Sequence, residues 1–150
     1  MDQSLRQITV EISNSGNNAK TDIVEFLERD PEFRKYLSAK TSFQSGHSPL
    51  HMASFQNAPD IIELLIKDYN LHVNSTITVG LDFSATPLHI AIRSGRMKSG
   101  EMLLKCGADP SLGGHFSSDS KFVSALQLAE QTGYREIINL LKKWKFGEAP

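Results

Sequence analysis

Two histidines stand 38 residues apart in nearly the same words, Ser48-Pro49-Leu50-His51 and Thr86-Pro87-Leu88-His89. Imidazole titrates near neutral pH and ligates metals, so a recurring histidine raises metal binding and general-base work as readings. Either needs company, and no second His, Cys or carboxylate stands beside His51 or His89 at ligand spacing. Gly95-Arg96-Met97-Lys98-Ser99-Gly100 has the glycine spacing of a phosphate loop, but Glu101 follows where that loop needs lysine. A helical pattern also precedes it, where the phosphate loop has a strand. Ser118 and Lys121 have the spacing of a Ser–Lys hydrolase dyad, in a Gly/Ser-rich stretch that lacks the companion motifs. Cys106 closes a helical pattern, where the dipole does not favour a thiolate, so it reads as a small packing residue. Lys142-Lys143-Trp144-Lys145-Phe146 mixes cations and aromatics as nucleic-acid surfaces do. A solvated helix end, with Trp144 covering a core layer, explains that cluster more simply. No acid, base and nucleophile come together, and the chain reads as non-catalytic, without metal or cofactor.

Composition sets matching bounds. A chain of 150 residues suits one domain and can bury a sizeable core. The net charge of −1 exerts no global pull on nucleic acid or an anionic membrane. Cys106 is the single cysteine, which excludes a disulfide framework and suits a reducing interior. Residues 1–12 contain Asp2, Arg6 and Glu11 and no apolar core, so no signal peptide is expected. No apolar run approaches the ~20 residues of a membrane span. The expectation is a cytoplasmic or nuclear protein, monomeric alone, whose partner is another protein. In that setting the Asn74-Ser75-Thr76 glycosylation sequon is moot.

The elements that must carry these residues are short helices. Thr86 can cap a helix with its hydroxyl, and Pro87 sits at the first helical position, where its missing donor costs nothing. Leu88, Ile90, Ala91 and Ile92 are apolar on most sides, and Gly95 supplies a left-handed stop. A helix of two turns does not stand alone in water, so it needs neighbours. The same words recur at 38-residue steps: Leu50, Leu88 and Leu126; Ala53, Ala91 and Ala129; Leu27, Leu65, Leu103 and Leu141. A fixed period in this range is the signature of a solenoid, each unit burying its apolar face against the next. The Thr-Pro-Leu-His-x-Ala pattern, with Gly107-Ala108-Asp109 closing a second helix, resembles the ankyrin repeat over residues 18–144. Each unit here carries about five residues more than that family's period of about 33. The resemblance implies an all-α repeat solenoid of helix-turn-helix units with β-hairpin fingers. It also implies that His51 and His89 are structural, bonding to neighbouring loop backbone.

The expected organisation is a single domain over 1–146 with a tail at 147–150. Residues 4–40 form an atypical N-terminal cap repeat, 45–74 and 84–111 two full repeats, and 118–144 a C-terminal cap repeat. Leu5, Ile8 and Ile12 make one stripe of a first helix, residues 14–18 break it, and Thr21/Asp22 caps the next. Pro31 begins one more turn through Phe33, Tyr36 and Leu37. Asn57 takes the turn glycine's place. Ile77, Val79, Leu81 and Phe83 alternate with polar or small residues, the strand period of a lengthened finger. Ser99 and Gly100 leave a thin spot that either a bulky neighbour fills or the helix tolerates as local softness. Residues 113–120 read as a polar loop.

What remains is surface. The concave groove of such a solenoid is its binding face. The positions expected to face it are Met52, Phe55 and Gln56, then Ile90, Arg93 and Ser94, then Leu128, Gln131 and Thr132. Phe55 and Arg93 are the residue types that anchor interfaces, the alternative being that Phe55 folds back onto the core. Ile77, Val79, Leu81 and Phe83 form a second patch, unless the hairpin packs on itself. Function is then expected to be non-catalytic protein binding, as an inhibitor or adaptor. The architecture is loosely similar to that of IκB-type inhibitors of Rel transcription factors, and small four-repeat inhibitors of cyclin-dependent kinases also exist. A targeting or regulatory subunit of an enzyme complex is the alternative, and an enzyme with an unrecognised site a remote one.

Overall fold

The computed structural model describes residues 2–14, 19–44, 48–79, 83–115 and 122–145. They open with α1 (Asp2–Ser13), α2 (Ala19–Glu28), α3 (Pro31–Ala39) and a short strand, β1 (Ser42–Gln44). Two units of one plan follow: α4 (Pro49–Phe55) and α5 (Pro59–Lys67), then α6 (Pro87–Arg93) and α7 (Met97–Lys105). Strands β2 (Thr76–Val79) and β3 (Phe83–Ala85) lie between them. The chain closes with β4 (Gly113–His115), β5 (Phe122–Ser124), α8 (Ala125–Thr132) and α9 (Arg135–Lys145). This is an all-α repeat solenoid with short finger strands.

Local chemistry starts the first helix of each pair and turns the chain to the second. Ser48, Thr86 and Ser124 accept from the backbone N–H three residues on, at 3.4, 3.4 and 3.2 Å, and thereby start α4, α6 and α8. The turns to the second helices pass through Asn57 (φ 55°), Gly95 (φ 68°) and Gly133 (φ 75°), all left-handed. After α4 and α6 the chain closes back on the helix: Ala58 N–H donates to Ala53 O at 3.2 Å and Arg96 N–H to Ala91 O at 2.8 Å.

The first helices α4, α6 and α8 stack on one another, with α1 against α4, while α5, α7 and α9 stack as the second row. Of the three periodic series, Ala53, Ala91, Ala129 and Leu27, Leu65, Leu103, Leu141 are all buried in this stack, while Leu50 and Leu88 are buried and Leu126 is half-buried. Strand β2 pairs antiparallel with β3, setting Val79 opposite Phe83, and pairs parallel with β1. The partnership with β1 has no counterpart in the sequence reading, because three residues with one buried side chain, Phe43, make too short a pattern.

Four local expectations are corrected. Thr21 and Asp22 lie inside α2 rather than capping it, in the turn that also holds the buried Ala19. The turn expected at Pro31 is a full helix of nine residues, with the Asp30 carboxylate accepting from Phe33 N–H at 3.0 Å. Gly113–His115 is not loop but strand, paired antiparallel with Phe122–Ser124. Leu128, expected on the groove, is buried at 5% exposure. At the thin spot both Ser99 and Gly100 are buried, and a Cβ on Gly100 would meet no atom within 4 Å. No bulky neighbour fills that position. The expected break at 15–18, Leu81, the Ser118/Lys121 pair, Phe146 and the 147–150 tail lie outside the described residues.

Candidate functional site

The histidines are held from both ends. His51 Nε2 lies 2.7 Å from Ala85 O, which can only accept, so Nε2 carries the proton. Nδ1 then accepts from the Ser48 hydroxyl at 2.6 Å. His89 repeats the arrangement, with Val123 O at 3.2 Å and Thr86 Oγ1 at 2.6 Å. Burial lowers the His51 pKa from 6.5 to about 4, against the raising effect of the Ala85 carbonyl and with a smaller push from His89. Burial lowers His89 as well. Both rings are neutral connectors between one repeat and the next finger, with both nitrogens of each engaged. In α8, Gln127 takes the histidine's place and closes its cap locally, Ser124 N–H donating to Gln127 Oε1 at 3.0 Å.

The other candidate residues divide by place. Burial pushes the Cys106 thiol up, away from the thiolate. Lys142 and Lys143 are exposed while Trp144 packs against the core. Among the described residues no three of His, Cys, Asp and Glu gather as a metal-binding group.

On the inner face, Met52, Phe55, Ile77 and Ile90 come together with Ser48 and His51 around a depression of about 150 Å³. Helix α4 contributes Met52 and Phe55 one turn apart, α6 contributes Ile90, and β2 supplies Ile77 as the finger wall. Met52, Ile77 and Ile90 are half-buried, and Met52 and Ile77 pack below against the core. Phe55 does not fold back: it is 47% exposed. The Arg96 guanidinium carbon sits 5.4 Å from the Phe55 ring centroid, and Arg96 Nε donates to Phe55 O at 2.9 Å. Arg93, one turn beyond Ile90, is exposed and has no ion-pair or hydrogen-bond partner among the described residues. Gln56 and Ser94 are half-buried at the C-terminal caps of α4 and α6. Gln131 is exposed on α8, and Thr132 donates its hydroxyl to Ala129 O at 2.8 Å; neither lines the depression. Val79 and Phe83 are partners in the backbone register of β2 and β3.

Sequence reasoning missed Arg96, although a signal existed. It stands one repeat plus three residues beyond Phe55, which brings it beside that ring once the repeats stack. A second depression, about 410 Å³, lies beside α8 between Pro110, Ser111, Ser124, Leu126 and Leu141. It is the larger of the two, but its described lining holds no exposed aromatic side chain, whereas the smaller one is walled by the exposed Phe55, with Arg96 over that ring and Arg93 one turn beyond Ile90, so the smaller one is the better candidate.

The chain is 35% identical over 89 residues to the glycerophosphocholine phosphodiesterase gde1 of Schizosaccharomyces pombe. That stretch is 55% of this chain and 8% of the curated relative's own length. The family model described as ankyrin repeats (3 copies) matches residues 13–113. With the stacked helix pairs, the left-handed turns and the histidine bridges in place, this match identifies the chain as a member of the ankyrin repeat family.

Proposed function

We propose that this ankyrin-repeat chain, a protein-interaction module, binds a protein partner through its inner face without catalysis, as a small inhibitor or adaptor. The contact residues are Met52, Phe55, Gln56, Ile90, Arg93 and Ser94, extended by Gln131 and Thr132 and by the finger residues Ile77, Val79, Leu81 and Phe83. The observation that carries the reading is the exposed Phe55 ring at an apolar depression, with Arg93, unpartnered among the described residues, one turn beyond Ile90. An aromatic and a guanidinium provide area and directed hydrogen bonds together, as interface anchors do. The narrower form, IκB-like inhibition of a transcription factor, draws on the long repeats and the β2–β3 finger. A second reading, a targeting or regulatory subunit of an enzyme complex, is favoured by the relative named as a phosphodiesterase, of which the matched stretch is 8%.

Affinity capture from the source cell with wild type and a Phe55→Ala/Arg93→Ala double variant tests the proposal. A partner held by wild type and lost by an equally folded variant supports the inner face. Retention of every partner by the variant overturns it. Adding the chain at stoichiometric ratio to the captured partner separates the two forms, since an inhibitor abolishes the partner's activity and a regulatory subunit or scaffold preserves it.

A further inference from the structure

Resting on the binding role just proposed, we infer that the inner face takes an acidic–hydrophobic segment of its partner. One apolar side chain of that segment seats among Met52, Phe55, Ile77 and Ile90, and a carboxylate of the same segment meets Arg93.

Across α4, α6, β1, β2 and β3, Arg93 is the one side chain with a formal charge at neutral pH. His51 and His89 lie among these elements and are neutral, with both ring nitrogens occupied. No carboxylate stands on these elements to answer Arg93, and the other arginine nearby, Arg96, is spent on the Phe55 ring and carbonyl. A guanidinium presents its donors in a planar fork that fits a carboxylate better than any neutral group. On α8, which stacks on α6, Glu130 is exposed and makes no ion pair with Arg93, so among the described residues Arg93 is left open to an anionic group of the partner.

Size and shape supply the second half. A pocket of about 150 Å³ walled by aliphatic and aromatic side chains has room for one branched aliphatic chain or one phenyl ring. The engaged His51 and Ser48 at its floor leave no polar atom in need of a ligand. Arg93 follows Ile90 by one helical turn on α6, so the two anchors of the segment are a few residues apart along an extended peptide. Arg96 keeps the Phe55 ring in place as one wall of the pocket.

Selection from a random dodecapeptide phage library on the full chain tests this. The expected result is enrichment of peptides with a Leu, Ile, Met or Phe within three residues of Asp or Glu. Binding of such a peptide should weaken at least tenfold on Arg93→Glu and on Ile90→Asp. Replacing its acid by lysine should reverse the preference, the peptide then favouring the Arg93→Glu chain. Arg93 is exposed, so that variant should melt with wild type; Arg93→Gln, with an intermediate loss, guards against a folding artefact. Enriched peptides without an acidic residue, or peptides indifferent to Arg93→Glu, overturn the acidic–hydrophobic assignment while leaving a protein-binding role intact. A library that yields no binder overturns both.

Discussion

His51 Nε2 lies 2.7 Å from the carbonyl oxygen of Ala85, 34 residues along the chain, and joins the cap of one repeat to the finger strand before the next. Ala85 belongs to the strand that precedes α6 and is itself buried, so its carbonyl has no water to fall back on. Truncating His51→Ala strands that acceptor and opens a void, and should reduce stability by about 3 kcal/mol. Urea unfolding followed by far-UV circular dichroism measures it. His51→Gln should lose less, because Gln127 shows that glutamine at this position keeps the local cap.

Acid should weaken the fold through the same rings. His51 has its pKa lowered from 6.5 to about 4, so between those values the unfolded chain takes up a proton that the folded chain refuses. Stability is therefore level above pH 6.5 and falls as the pH drops toward 4. The loss attributable to His51 is roughly 3 kcal/mol, at 1.36 kcal/mol per pKa unit. His89, lowered by burial too, acts in the same direction. Denaturation midpoints at pH 7 and pH 4.5 read the slope, and His51→Gln should flatten it.

Gly100 and Gly95 should respond oppositely to alanine. Gly100 lies inside α7 with ordinary helical backbone and open space where a Cβ would go, so Gly100→Ala should add about 1 kcal/mol of stability. Next to it, Ser99 Oγ is buried without a hydrogen-bond partner, and Ser99→Ala should be neutral or stabilising by about 1 kcal/mol. Gly95 has φ +68°, and a Cβ there would stand 3.0 Å from the Tyr134 ring. Gly95→Ala should cost about 1–2 kcal/mol, mostly from the left-handed backbone, since the exposed Tyr134 can yield. Thermal melts of the single variants rank them.

Asn57 combines both roles of its position. Its φ of 55° is left-handed, and its Oδ1 accepts from Ser99 N–H at 3.1 Å in the next repeat. Asn57→Ala loses both and should cost about 2 kcal/mol. Asn57→Gly relieves the backbone while losing the bond, so its loss should be about half as large. Hydrogen exchange at the start of α7 should rise in both variants.

The residues alone determined the repeat architecture, because its rules are local and periodic. A cap hydroxyl, a proline at the first helical position, an apolar stripe and a left-handed turn act within a few neighbours, as at Thr86, Pro87, Leu88 and Gly95. Stacking then repeats the same contact every 38 residues, and the buried thread of Leu27, Leu65, Leu103 and Leu141 is its trace. Folding alone decided what depends on distant chain. Thr21 and Asp22 went into α2 beside the buried Ala19 instead of capping it, and β1 exists because β2 lay ready to pair with it. Leu128 left the groove although Ile90, its counterpart one repeat earlier, stays half-exposed. The same holds for the candidate site. Phe55 and Arg93 stood out by residue type, whereas the Arg96 guanidinium over the Phe55 ring, 41 residues away in the chain, exists only once two repeats are in register. Spacing fixes which side of a helix a residue occupies; its exposure is set by what the stacked neighbour places opposite.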